Sequence, residues 1–143
     1  MSYGNYDKKQ TSVFDIVITA LFAAITLLGI QLFRIPLPAV IGSPFIHFGN
    51  AFLVLAVLLL GGKRGAIAGA VGLGLFDIIN GYGFFCLSTI ASALIVSAVI
   101  SGVFRLFKRQ PKAGAVAIAA AAGALMNIIY EFVFGVIYMV ITG

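Results

Sequence analysis

The sequence predicts an all-α fold: a polytopic membrane bundle of five helical crossings with its N-terminus in the cytoplasm. Three observations predict it. Hydrophobic residues make up 62% of the 143 and charged residues 9%, against roughly 25% charged in a soluble domain. Apolar runs of near bilayer-spanning length recur from end to end. The basic residues gather in short clusters between those runs rather than on a polar face. The length suits one domain, residues 1–143. The net charge of +5 is therefore a topology signal set against the lipid bilayer, and nucleic acid is excluded as a partner. Cys86 stands alone, without a disulfide or metal pattern, and reads as a small buried hydrophobe.

Each crossing follows from the alternation of apolar runs and breakers. The polar segment 1–12 and the long run after it do not read as a cleaved signal peptide, so the first run is a retained helix over 13–33. Arg34-Ile-Pro36-Leu-Pro38 ends it, because proline cannot continue a helix and restricts the residue before it. A loop leads to a second helix over 45–60, stopped by Gly61-Gly62-Lys63-Arg64. The third, 65–79, carries Gly65, Gly69, Gly72 and Gly74 among alanines, the small residues that let membrane helices approach closely. The turn Asn80-Gly-Tyr82-Gly precedes a fourth helix over 84–104. The fifth covers 113–134, with the apolar tail after Glu131 either a bent extension or the start of a sixth.

This order puts Lys8 and Lys9, then Lys63 and Arg64, then Arg105, Lys108, Arg109 and Lys112 on one side of the membrane, and Arg34 on the other. The positive-inside rule makes the first side cytoplasmic. The remaining polar groups then fall together at the outer side: His47 and Asn50 on helix two, Asp77, Asn80 and Tyr82 on helix three and its turn, and Asn127, Tyr130 and Glu131 on helix five. Ionisable groups at membrane depth usually face a bundle interior or a watery cavity. Apolar walls with a few convergent polar groups suit a small molecule, and Phe45, Phe48, Phe76, Tyr82, Phe84 and Phe85 could wall a flat heterocycle.

Each residue also has a plainer role. Asp77 could cap its helix or pair with Arg34, and Asn50 and Asn127 could bond helix to helix. Tyr82, Tyr130, Glu131 and His47 could mark the membrane interface, and Ala20 and Ala24 could simply face lipid or the bundle. Asp15 sits in the first helical turn, where a carboxylate suits the helix dipole, and is given no substrate role. The placement of the others on one side is the stronger argument. No phosphate loop, paired-histidine metal motif or serine–histidine spacing occurs, so no catalytic residue, metal or cofactor is expected.

Three stretches taken together carry a resemblance: Ser43-Pro-Phe-Ile-His-Phe-Gly-Asn-Ala-Phe52, Leu59-Leu-Gly-Gly-Lys-Arg-Gly-Ala-Ile-Ala-Gly69 and Gly72-Leu-Gly-Leu-Phe-Asp-Ile-Ile-Asn-Gly-Tyr82. As a set they resemble the substrate-binding S component of energy-coupling factor (ECF) transporters, over most of the chain. The resemblance implies a multi-pass subunit of a prokaryotic cell membrane that captures a vitamin-like small molecule near the outer side. It implies docking on a transmembrane coupling protein and two ATPase subunits, which supply the ATP hydrolysis. It also implies a docking motif in helix one, matched by Ala20 and Ala24; small residues four apart share one helix face. Relatives usually cross six times, and five crossings are visible here. Thr89-Ile-Ala-Ser-Ala-Leu94 stands where many relatives carry a lysine, which disfavours an anionic substrate.

The expected substrate is thus a neutral or cationic heterocycle, with pyridoxine-like, pyrimidine-like and deazapurine ligands all open. The expected binding residues are His47, Asn50, Asp77, Asn80, Tyr82, Asn127 and Glu131. The alternative is a stand-alone small secondary transporter or channel acting as an oligomer, for which the small-residue third helix could be the contact face. A structural subunit without a ligand comes after it, and an intramembrane enzyme last.

Overall fold

The structure is a computed structural model that describes residues 12–36, 45–110 and 112–142. Lys8, Lys9 and Ser43 lie outside the described residues. Helix α1 (Val13–Leu32) starts on a capping box: the Ser12 hydroxyl accepts from the Phe14 N–H, and the Asp15 carboxylate accepts from the Ser12 N–H. A short antiparallel pair follows, β1 (Arg34–Pro36) against β2 (Phe45–His47), with Arg34 opposite His47 and Ile35 opposite Ile46. Then come α2 (Gly49–Leu60), α3 (Gly62–Ile79), α4 (Gly83–Leu106) and α5 (Ala113–Thr142).

The β pair corrects the expected second helix. Residues 45–47 are extended, and α2 begins only at Gly49. The extended backbone lets the two flanks of the α1–α2 connection satisfy each other's N–H and C=O groups, which an isolated helical turn beside Pro44 would not. At about 1.5 Å per residue the 12 residues of α2 reach only ~18 Å; the three residues of β2 add ~10 Å. Helix and strand together are needed to cover a hydrocarbon core of about 30 Å. Helix α5 differs in the other direction. It runs unbroken past Glu131 to Thr142 as one 30-residue helix rather than bending or starting a sixth. Helices α1, α4 and α5 are each long and apolar enough to cross a membrane.

Helix α3 is the hub, packed against α1, α2 and α4, and α5 rests on α4. The reason is its glycine face. A methyl group at Gly65 would run into the backbone of Val57 and come within 2.8 Å of the Ala56 carbonyl carbon; one at Gly72 would come within 2.6 Å of the Ala23 carbonyl oxygen. At Gly69 it would collide with the Leu53 side chain. Close backbone approach is what small residues permit, and dispersion between the packed surfaces is what it gains. This face is thus occupied within the chain, against α1 and α2. It is not available as the oligomer face that the sequence allowed it to be. The core that forms around it is Ile30, Leu53, Val57, Leu73, Phe76, Ala93, Val96, Ile100 and Ala119.

Candidate functional site

The end of the bundle where α3 finishes and α4 begins holds most of the polar groups. Asp77, in the last turn of α3, is buried at 8% exposure. The Thr89 side chain of α4 lies near one oxygen of its carboxylate. The other oxygen, Oδ2, has no hydrogen-bond partner among the described residues. A buried acceptor left unsatisfied costs about 1–3 kcal/mol, and more when charged. Glu131 of α5 is exposed and within electrostatic reach of Asp77.

Asn127 lies one turn before Glu131, on the same face of α5. Its Oδ1 accepts from the Ser92 hydroxyl of α4 at 3.2 Å. Tyr130 donates its hydroxyl to the Ser88 carbonyl at 3.1 Å and shares a hydrogen with the Ser88 hydroxyl at 3.2 Å. Ser88 and Ser92, four apart, thus form a polar seam between α4 and α5. Asn127 keeps its amide N–H groups for other partners, while the Tyr130 hydroxyl is occupied by the helix contact. The three expected residues Asp77, Asn127 and Glu131 therefore line one sector between α3, α4 and α5.

The others are distributed elsewhere. Asn80 turns toward α1: its Nδ2 donates to Gln31 Oε1 at 3.1 Å and to the Phe76 carbonyl at 2.9 Å. That uses both amide hydrogens and leaves its oxygen as the group able to meet a ligand. Tyr82 stacks on Phe76 with ring centroids 6.2 Å apart, and the Arg34 guanidinium lies 6.0 Å over the Phe76 ring. Asn50, half-buried in the first turn of α2, makes no side-chain hydrogen bond among the described residues. His47 is placed by its strand pairing with Arg34; its side chain lies outside what the structure describes.

The aromatic residues divide in the same way. Phe48 meets Phe33 at 5.8 Å beside the strands. Phe84 and Phe85, at the start of α4, join Tyr138 and Phe134 of α5, with Phe85 to Tyr138 at 5.4 Å and Phe85 to Phe134 at 6.4 Å. Phe134 and Tyr138 follow Glu131, beyond which the sequence leaves both a bent extension and a sixth helix open. Their i, i+4 spacing from Tyr130 is the signal that would have found them. Thr89 and Ser92 were passed over as unremarkable small polar residues. Cys86 is half-buried, and its thiol reaches the Gly74 carbonyl at 3.5 Å.

At the opposite end, Arg64 donates to Asp15 Oδ2 at 2.5 Å, joining α3 to α1. Asp15 is therefore more than a dipole partner: it serves the capping box and an ion pair at once. Ala20 and Ala24 are both exposed on α1, while Ala23 between them is buried.

A five-helix membrane bundle with a polar, aromatic-walled end is the frame in which sequence comparison takes its meaning. The profile of the family described as "ECF-type riboflavin transporter, S component" matches residues 10–143. Comparison with curated proteins and with solved structures gave no match. The matched span takes in every helix and both halves of the polar end, so the chain belongs to the ECF-type riboflavin transporter S component family.

Proposed function

We propose that the chain captures riboflavin or a close flavin analogue at the Asp77 sector and presents it to an ATP-driven importer. The observation that carries this reading is the buried Asp77 oxygen without a partner, because a ligand donor placed there would remove a desolvation cost that the free protein bears. A flavin offers such donors, the imide N–H of its ring and the hydroxyls of its ribityl chain. Its ring is flat and uncharged, which suits the Phe84, Phe85, Phe134 and Tyr138 wall. Asn127 has amide donors for the ring carbonyls. A neutral ring agrees with the charge expectation from the sequence, although a flavin is none of the three ligand types that reading held open.

Capture without chemistry on the substrate leaves ATP hydrolysis to two ATPase subunits joined through a transmembrane coupling protein. The exposed pair Ala20 and Ala24 supports docking on that protein through α1.

The experiment is a riboflavin titration of the detergent-purified chain, followed by quenching of flavin fluorescence. Asp77→Asn should weaken binding roughly 10- to 150-fold, corresponding to about 1.5–3 kcal/mol for a hydrogen bond to a charged group. Its folded yield should be retained, since the substitution removes an unsatisfied buried charge. Undiminished affinity would take Asp77 out of the site, and a folded protein that quenches no flavin would sink the reading. Co-expressed with the coupling protein and ATPases, Ala24→Leu should leave the affinity unchanged and abolish their co-purification. A variant that still assembles would exclude this face of α1.

A further inference from the structure

The bundle end opposite Asp77 carries a second constellation that flavin capture does not use. A cleft of about 210 Å³ opens between the end of α2 and the end of α4, lined by Val57, Leu58, Leu59, Leu60, Gly61, Ser101, Phe104 and Arg109. Five of these eight residues, Val57, Leu58, Leu59, Leu60 and Phe104, have apolar side chains, and polar donors from three elements lie in the cleft or beside it.

The start of α3 is the first of these. The N–H groups of Gly62, Lys63 and Arg64 have no preceding turn to bond to, and no side chain caps them, because the cap position is Gly61 at φ 86°. Such a helix start attracts an anion. Ser101 is the second. It is buried at 9% exposure, lines the cleft, and makes no side-chain hydrogen bond among the described residues. Its hydroxyl oxygen lies against Gly62, 2.5 Å from where a methyl group on that residue would sit.

Arg109 is the third, and the backbone is bent to deliver it. The Lys108 N–H bonds the Arg105 carbonyl at 2.9 Å, and the Arg109 N–H bonds the Phe104 carbonyl at 3.1 Å, the pattern of a Schellman stop. That stop ordinarily uses glycine at its left-handed position, yet Lys108 and Arg109 both stand at φ 52°. The result is a chain that turns back so that Arg109 lines the cleft.

We propose that this cleft binds the phosphate headgroup of an anionic phospholipid, with the glycerol and upper acyl carbons against Leu58, Leu59 and Phe104. The α3 N–H groups, the Ser101 hydroxyl and Arg109 supply donors for the phosphate. The apolar side chains of Leu58, Leu59 and Phe104 in the lining, with Leu59 exposed, favour a lipid over a free ion. Bound there, the lipid ties the α2–α3 turn to the end of α4.

The test is native mass spectrometry of the purified full chain with phosphatidylglycerol or phosphatidylcholine in mixed micelles. One phosphatidylglycerol should be retained in preference to phosphatidylcholine. Arg109→Gln should weaken retention about tenfold, with Ser101→Ala acting in the same direction. Lys112→Gln, which changes a basic residue of the same segment that does not line the cleft, should leave retention unaltered. Equal losses in Lys112→Gln and Arg109→Gln would mean diffuse attraction and overturn the site. Complete displacement of the lipid by millimolar inorganic phosphate would overturn the lipid assignment.

Discussion

Helices α3 and α5 invert the usual relation between hydrophobicity and burial. Helix α3 carries Lys63, Arg64 and Asp77 and is interrupted by glycines, yet it buries Gly65, Ala68, Gly69, Gly72, Leu73, Gly74, Phe76 and Asp77. Helix α5 is apolar over nearly all of its 30 residues and buries only Ala115, Ala119 and Gly123. In water the apolar helix would be driven inside. In lipid the surrounding tails are as apolar as leucine, so apolarity drives nothing and the closeness of backbone approach decides. Both helices obey one rule, for the buried positions of α5 are also its small ones, on the face toward α4. The exposed residues of α5 beyond them, Phe132, Met139, Val140 and Ile141 among others, are matched to lipid rather than to protein.

The comparison can be broken at its strongest point with Gly65→Ala. The added methyl meets the Val57 backbone, which has no rotamer to yield. The loss should be about 2–3 kcal/mol, even after a gain of up to ~1 kcal/mol in helix propensity. Unfolding in a mixed detergent series measures it, and a neutral result would mean that α2 and α3 are not held this close. Gly123→Ala sharpens the contrast on α5. There the methyl meets Cγ1 and Cδ1 of the buried Ile100, a side chain that can shift slightly where the Val57 backbone cannot, so the net loss should be smaller, about 1–2 kcal/mol. The smallest effect belongs to Val140→Ala. At 79% exposure it should shift stability by no more than ~0.5 kcal/mol, and a larger loss would place protein against that face.

The candidate site was legible in outline because its residues are costly. A carboxylate at membrane depth, such as Asp77, announces itself in an apolar run. Its companions did not, because their roles depend on which helices are neighbours. Asn80 and Asp77 are three residues apart, yet one bonds Gln31 of α1 and the other meets Thr89 of α4. Tyr130, which the sequence groups with the outer polar residues, is bound to Ser88 across the α4–α5 seam. The second helix was misjudged at its start because Phe45–His47 is apolar enough for either conformation. Only its partner strand, nine positions earlier at its nearest pairing, decides between them.

By itself the sequence determined the membrane class, the number of helices and the side on which the basic clusters and the polar residues gather. These follow from composition and from the spacing of apolar runs, which lipid reads one segment at a time. The tertiary structure decided that α3 is the hub, that its glycine face is spent inside the chain, and that Asp77 keeps an oxygen without a partner while Asn80 does not face the same way. Those outcomes depend on which surfaces lie within a few ångströms of each other. Packing sets that, and no single segment contains it.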